Sequence, residues 1–239
     1  KHYNIRQFKI AFFDLDGTVL NSEGQITSAT QEAVAYLRRC GLRISLASGR
    51  SSFGARIAIE KLQIEDPCVF FSGALVINPK TKETVFEALL KKEEIIALAA
   101  AARKRGLYLE LYSRDNFFIE KPHPVAEIHA AYLGQHPITG SFDEVIEREK
   151  ILKAVVVSEL RSKDALLKEM IPLFSQLNFH LAPGAEHPDI VFGNVTPPSA
   201  TRENAFETVM KALDLKPEEA MAFGDAASDI PFIRMSGLG

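Results

Sequence analysis

The chain has 239 residues, enough for one large domain or two small ones, and its 46% apolar and 25% charged residues are typical of a globular protein. A formal net charge of −3 gives no basic surface of the kind that binds nucleic acid, so we expect no nucleic-acid partner. No apolar run approaches the roughly 18 residues of a membrane span, the opening KHYNIRQFKI lacks a signal-peptide core, and Cys40 and Cys68 have no metal or redox spacing. These features predict a cytoplasmic protein that does not enter a membrane.

The first predicted strand leads directly into an acidic loop. Ile10–Phe13 are consecutive apolar residues, which predicts a strand buried on both faces, and Asp14 and Asp16 follow at once. Like charges at close range resist joint ionisation, and open α/β sheets bind ligands at the carboxyl ends of their strands, so this pair predicts a divalent-cation site. An ordinary Asp/Gly turn is a second interpretation. A calcium loop is excluded, because Gly17 stands fourth rather than sixth and Gln25 occupies the twelfth position.

Helices and strands then alternate along the first third of the chain. Ser28-Ala29-Thr30-Gln31 has the form of a capping box at a helix start, and Gly41 ends that helix. We predict a strand over residues 42–47, a helix over 51–62 and a strand over 68–71. Alternation of this kind is typical of a parallel sheet with helical crossovers.

The pattern changes near residue 79. Strand-like runs flank a turn at 78–82, and then we predict a helix at 93–105, strands at 107–112 and 116–120, a helix at 125–133, an irregular stretch, a strand at 151–158 and a helix at 163–177. Strand pairs beside helices indicate an α+β unit, so residues 80–188 are expected to be an inserted domain that acts as a lid. The core pattern resumes with a helix at 202–213 and a strand at 219–223, which precedes Asp225 and Asp229. The predicted fold is therefore α/β: a Rossmann-like parallel sheet from residues 1–79 and 189–239, with an inserted α+β cap.

Four motifs in this order resemble those of the haloacid dehalogenase superfamily. They are DLDGT at 14–18, ASGR at 47–50, a basic residue at 202 and GDxxxD at 224–229, and the large insertion resembles that of the Cof-type phosphatases in this superfamily. The resemblance covers nearly the whole chain. It implies a magnesium-dependent phosphatase, monomeric or homodimeric, that hydrolyses small phosphorylated metabolites (sugar phosphates or nucleotide-like compounds) through an aspartyl-phosphate. Relatives continue past the position of Gly239, so the catalytic core is expected to be truncated at its C-terminus.

The resemblance also implies a role for each motif residue. Asp14 would be the nucleophile and Asp16 the general acid and then the base, with Ser48 and Arg202 as further catalytic residues. Magnesium would be held by Asp14, the Asp16 carbonyl, Asp225 and Asp229. The expected substrate-binding residues surround the phosphoryl group: Thr18, Ser48, Gly49 and Arg50 (through backbone N–H groups at a helix start), Ser72, Gly73 and Arg202.

Alternatives remain for individual residues and for the whole protein. Ser48 and Asp229 are also typical helix caps, and Arg202 is also a typical solvated helix residue. Arg202 stands where the family usually has Lys, and Ser72 and Ser228 stand where it often has Asn, so an impaired phosphate- or metal-binding regulator is an open alternative. A phosphosugar mutase, which shares the nucleophile and the metal, is another.

Overall fold

The structure, a computed structural model, describes residues 4–159, 164–184 and 187–239. It divides into two compact units: the first runs to Glu87 and resumes at Ala200–Gly239, and the second is Ala88–Ser199. This division differs from the expected boundaries after residues 79 and 188. The reason is strand pairing, because Thr84–Glu87 pairs with Leu75–Ile77 in the first unit and Val191–Thr196 pairs within the sheet of the second.

The regular elements follow in chain order. The strands are β1 Ile10–Phe13, β2 Arg43–Leu46, β3 Cys68–Phe70, β4 Leu75–Ile77, β5 Thr84–Glu87, β6 Tyr108–Tyr112, β7 Phe117–Ile119, β8 Ile138–Thr139, β9 Lys153–Ser158, β10 Asn178–Pro183, β11 Val191–Thr196 and β12 Ala220–Phe223. The helices are α1 Ser28–Arg39, α2 Arg56–Lys61, α3 Lys92–Lys104, α4 Pro124–Leu133, α5 Phe142–Arg148, α6 Asp164–Met170, α7 Arg202–Ala212 and α8 Ile230–Met235. Among these described helices, none combines the length and the apolar character needed to cross a lipid bilayer.

The first unit is built on a parallel sheet in the order β12-β1-β2. A parallel bridge between Ala47 and Val69 brings β3 beside β2, and one between Met221 and Leu238 places the last residues beside β12. Strands β3, β4 and β5 form an antiparallel meander. The predicted α/β class with a parallel core sheet is confirmed. Since parallel strands end at one edge, the loops after β1, β2 and β12 leave the sheet together.

An aromatic cluster fixes α7 and α8 on this sheet. Phe12 of β1, Phe206 of α7 and Phe232 of α8 are buried, with ring centroids 5.0–5.4 Å apart in tilted or edge-to-face arrangements. Burying each ring stabilises the fold by about 2–3 kcal/mol. Residues four apart share a helix face, so seating Phe206 on β1 directs Arg202 towards the same strand.

The second unit contains a sheet in the order β10-β11-β9-β6-β7-β8, antiparallel except for β7 and β8. Its core joins one sheet face to α3, α5 and α6 through buried residues such as Leu98, Ile146, Val156 and Leu167. On the strand β6, Glu110 has no exposed surface and accepts hydrogen bonds from the hydroxyls of Tyr108 (2.9 Å) and Tyr112 (2.7 Å). The His129 Nδ1 of α4 lies 2.6 Å from the same carboxylate. Three polar partners compensate the burial of this charge.

Three local expectations need correction. The cap of α1 is Thr27, whose hydroxyl accepts from the Thr30 N–H, rather than Ser28. The stretch expected to be irregular after residue 133 contains α5, which buries apolar residues at helical spacing. The long helix expected over 163–177 ends at Met170 and continues as a 3₁₀ turn, because Pro172 lacks the N–H that an α-helical bond requires; Lys163 lies outside the described residues.

Gly73 allows β3 to meet the start of α7. Its φ is +106°, and a Cβ there would lie 2.3 Å from the Thr201 carbonyl oxygen. Gly41 has a similar φ of +91° but open space around it. We therefore expect Gly73→Ala to lower the free energy of unfolding by about 3 kcal/mol, and Gly41→Ala by about 1 kcal/mol, since only the first adds a clash to the backbone strain. Urea unfolding of the two variants measures the difference. Equal losses would show that the contact with Thr201 is not tight.

Candidate active site

Three carboxylates meet at the carboxyl edge of the parallel sheet. Asp14 follows β1, and Asp225 and Asp229 follow β12. These strands are adjacent and in register, with Phe13 opposite Phe223, so their following loops leave side by side. One carboxylate oxygen from each of the three aspartates lies within 4.8 Å of the others. Of the four predicted metal ligands, the structure thus brings three side chains together.

Gly17 and Thr18 of the DLDGT motif both contact the carboxylate of Asp225 or leave space for it. Gly17 has a φ of +81°, and a Cβ there would lie 2.1 Å from Asp225 Oδ2, so a larger residue would displace that carboxylate. The Thr18 hydroxyl donates to Asp225 Oδ1 at 3.5 Å. The loop after β1 therefore positions a carboxylate from β12 through these two contacts.

Arg202 is buried beside two of the acids. Its side chain has only 8% of its surface exposed, which rules out a solvated helix residue. Nη1 donates to the Ala47 carbonyl at 2.5 Å, and Nη2 lies 3.9 Å from Asp14 Oδ1 and 3.7 Å from Asp229 Oδ1. Burial lowers the pKa of Arg202, and the two carboxylates oppose that change. Within the described part of the chain its Nε has no hydrogen-bond partner.

The pKa of Asp14 reflects this crowding. Burial and then the charge of Asp229 raise the pKa of Asp14 to about 7, against a smaller lowering by the Leu15 N–H and Arg202. A carboxylic acid at this pKa is about half protonated near neutral pH. The donor set is made of carboxylate oxygens, which hard divalent cations prefer, and it carries more negative charge than Arg202 neutralises. These residues therefore fit magnesium.

Asp229 has two contacts of its own. It is buried, and its Oδ2 accepts the Ala226 N–H at 3.0 Å while Oδ1 faces Arg202. Asp229 stands at the predicted N-cap position of α8, but its side chain makes no capping hydrogen bond to that helix and instead accepts the Ala226 N–H at the start of the preceding 3₁₀ turn.

The Asp16 carboxylate is not among the three clustered carboxylates. Its carboxylate is paired with Arg50, whose Nε lies 2.9 Å from Oδ2 and whose Nη2 lies 2.5 Å from Oδ1. The sequence did not predict this pair, because two residues from separate motifs 34 positions apart give no local signal. The sequence predicts the carbonyl of Asp16, rather than its carboxylate, as a metal ligand, and that stays a prediction.

The loops after β2 and β3 complete the edge. Ser48 is buried, and its hydroxyl accepts the Arg50 N–H at 3.1 Å. This N–H was expected to face substrate at a helix start, but it is engaged locally, and the next helical turn begins only at Phe53. Because no helical turn begins before Phe53, Ser48 is not a helix cap. The Ser72 hydroxyl lies 3.2 Å from the position that a Cβ on Gly49 would occupy, so Ser72 and Gly49 are in close contact.

The loop after β3 has an unusual backbone. Phe71, Ser72 and Gly73 all have positive φ values, of 52°, 56° and 106°. Consecutive residues in this region are costly for side-chain-bearing residues and persist only where the surroundings impose them. The strained turn directs the exposed Ser72 side chain towards Gly49, at the edge where the carboxylates lie.

Comparison with known proteins gives relatives over most of the chain. A chloroplastic protein of Arabidopsis thaliana named endoribonuclease YBEY is 25% identical over 98% of this chain, which spans only 41% of that protein. The crystal structure of a haloacid dehalogenase-like hydrolase from Bacteroides thetaiotaomicron is 23% identical, with a TM-score of 0.85 over 97% of this chain and 87% of its own. The sugar phosphatase BT4131, described as a subclass IIB member of the same superfamily, is 25% identical, with a TM-score of 0.77 over 95% of this chain and 85% of its own.

The sequence profile of the haloacid dehalogenase-like hydrolases matches residues 11–239. The matched range includes every motif on which the resemblance rests, and the similarity to the hydrolase structure from Bacteroides thetaiotaomicron covers 97% of this chain. The chain therefore belongs to the haloacid dehalogenase-like hydrolases, in their Cof-type branch, and its enzyme class is that of a phosphoric monoester hydrolase.

Proposed function

We propose that this protein is a magnesium-dependent phosphatase that hydrolyses small phosphorylated metabolites, sugar phosphates or nucleotide-like compounds, through an aspartyl-phosphate. The observation that carries the proposal is the cluster of Asp14, Asp225 and Asp229 beside Arg202 at the edge of the parallel sheet. The similarity to a sugar phosphatase supports the substrate class. A cytoplasmic location, a monomer or homodimer, and the cap role of the second unit stay predictions from the sequence.

The proposed metal ligands are the three clustered carboxylates and the Asp16 carbonyl. Bound there, magnesium would supply positive charge that neutralises the carboxylates and the substrate phosphate. Asp14 would then meet two requirements of a nucleophile in this chemistry: it is buried, and its charge would be balanced by the magnesium and by Arg202, whose Nη2 lies 3.9 Å away, so that a phosphate dianion could approach it.

The protein's own residues account for the proposed steps. An Asp14 oxygen attacks phosphorus, the ester P–O bond breaks, and Asp16 gives a proton to the departing oxygen. Asp16 then takes a proton from water as the water attacks the aspartyl-phosphate, which releases inorganic phosphate and restores Asp14. Arg202 stabilises the negative charge that develops on the phosphoryl oxygens. Thr18, Ser48, Gly49, Ser72 and Gly73 are the proposed contacts for substrate; Arg50, also predicted as one, is treated below.

The first test replaces the nucleophile. We expect Asp14→Asn to abolish phosphate release from a panel of phosphorylated metabolites at saturating magnesium, with a loss of at least about 10⁴-fold, because an amide does not attack phosphorus. The matched control is Asp214→Asn, an exposed residue whose φ of 52° suits Asn equally well. Phosphate release is measured with and without magnesium. Hydrolysis retained by Asp14→Asn, or hydrolysis by the wild type at the same rate with and without magnesium, would contradict the proposal.

A second test separates charge from shape at Arg202. Arg202→Lys keeps a cation near Asp14 and Asp229, so we expect kcat to fall no more than about 10-fold. Arg202→Met removes the cation and should lower kcat by about 10²–10³-fold. Thermal unfolding of both variants controls for the lost hydrogen bond to Ala47. Equal activity of the two variants would show that the charge at this position has no part in the reaction.

A third test uses the raised pKa of Asp14. A folded-state pKa of about 7 against an ordinary 3.8 means that the folded protein binds a proton that the unfolded chain releases between these values. Asp14 therefore makes its most favourable contribution to stability at low pH and loses it as pH rises through about 7, a difference on the order of 2–4 kcal/mol. In metal-free protein, we expect Asp14→Asn to raise Tm at pH 8 and to have a smaller effect at pH 5.5. Magnesium should stabilise the wild type at pH 8, so that in its presence the wild type has a higher Tm than Asp14→Asn. A Tm difference that does not change with pH would contradict the electrostatic origin.

A further inference from the structure

The guanidinium of Arg50 and the carboxylate of Asp16 form a two-pronged ion pair. Nε lies 2.9 Å from Oδ2 and 3.2 Å from Oδ1, and Nη2 lies 2.5 Å from Oδ1. A guanidinium that presents two nitrogens to both carboxylate oxygens fixes the plane of the carboxylate as well as its position. Through such a pair, Arg50 determines where the oxygens of Asp16 lie.

Arg50 is the more buried partner of this pair. Its N–H is bound by the Ser48 hydroxyl at 3.1 Å, and its carbonyl accepts the Phe71 N–H at 2.8 Å. Its side chain is 12% exposed and also reaches the Gly54 carbonyl from Nη1 at 3.4 Å, whereas the side chain of Asp16 is 49% exposed. A half-exposed carboxylate on a loop adopts the position that a buried and anchored guanidinium gives it.

The same contacts argue against Arg50 as a phosphate ligand. The edge formed by Nε and Nη2, one of the two edges through which a guanidinium binds an oxyanion in bidentate fashion, is taken by Asp16, and Nη1 on the other edge donates to the Gly54 carbonyl at 3.4 Å. Binding a phosphate there would break an ion pair in which both oxygens of Asp16 participate.

We propose that Arg50 is the positioning residue of Asp16, which orients the carboxylate for proton transfer to the leaving oxygen. The inference rests on the proposed function, in which Asp16 transfers that proton. Arg50 does not touch the substrate in this scheme and acts only through Asp16. It therefore matters when the leaving group needs a proton, and it loses its effect when Asp16 is absent.

The test compares two leaving groups. An alkyl phosphate such as glycerol phosphate needs a proton on its departing oxygen, whereas 4-nitrophenyl phosphate releases a stable phenolate. We expect Arg50→Gln to lower kcat/KM about 100-fold for the alkyl ester and no more than about 10-fold for the aryl ester, in parallel with Asp16→Asn. In the Asp16→Asn background, Arg50→Gln should lower kcat/KM by less than about 2-fold. Arg50→Lys, which keeps the charge but not the fork, should resemble Arg50→Gln.

Two controls keep the outcomes distinct. Arg43→Gln removes a comparable ion pair, with Asp66 at 2.6 Å, from the opposite end of β2, and should leave kcat/KM unchanged. The ¹⁵Nε signal of Arg50 should shift on Asp16→Asn if the pair exists in solution, whatever the activity. A different result would overturn the inference: Arg50→Gln lowers kcat/KM equally for both esters, raises KM, and does so in the Asp16→Asn background as well. Arg50 would then be a substrate ligand, and the proposed phosphatase activity would be unaffected by that result. Absence of any Asp14-dependent hydrolysis in the wild type would overturn the proposed function itself, and the inference with it.

Discussion

The carboxylates that follow β1 and β12 repel one another, and the surrounding backbone of the first unit holds them together against that repulsion. Two carboxylates about 4 Å apart repel by about 4 kcal/mol at an effective dielectric constant of about 20. Asp14, Asp225 and Asp229 nevertheless lie within 4.8 Å of one another, and the pKa of Asp14 rises to about 7 as a result of burial and this crowding. Such an arrangement persists only where the backbone imposes it: the parallel register of the two strands fixes the loops, and Gly17 leaves the space that Asp225 occupies.

The position of Arg202, the cation beside this cluster, is determined by the apolar core. Phe206 holds α7 against β1, and Arg202 lies one turn earlier on the same helix. From there one guanidinium reaches the Ala47 carbonyl at the end of β2 as well as Asp14 and Asp229. An ammonium group has no planar array of donors with which to span three such acceptors at once. The substitution of Arg for the usual Lys therefore changes the local bonding of the site while it keeps its charge.

The sequence predicted those parts of the molecule that local signals determine. Ile10–Phe13 and the acidic residues after it indicated a buried strand and a charged edge, and the spacing of Phe206 indicated a buried helix face; the structure contains both. Properties that depend on distant partners were not predictable. The unit boundaries depend on which strands pair, as the pairing of β10 with β11 shows, and the contact of Arg50 with Asp16 joins two separate loops. The helix α5 is different, because Phe142, Val145 and Ile146 have helical spacing and the signal was present in the sequence.

Asp14 and Asp16 stand two residues apart, yet the structure gives them opposite environments. The Asp14 side chain is 10% exposed, lies beside other acids and is faced by Arg202 at 3.9 Å, whereas the Asp16 side chain is 49% exposed and is held by the guanidinium of Arg50. Two carboxyl groups can take different chemical roles in one reaction only if their surroundings differ. A buried, immobile carboxylate suits attack on phosphorus, and a carboxylate that reaches solvent suits proton exchange with a leaving group and with water. The separate arginines, one from α7 and one from the loop after β2, supply that difference, so the proposed division of labour within the DLDGT motif originates in residues far from it in sequence.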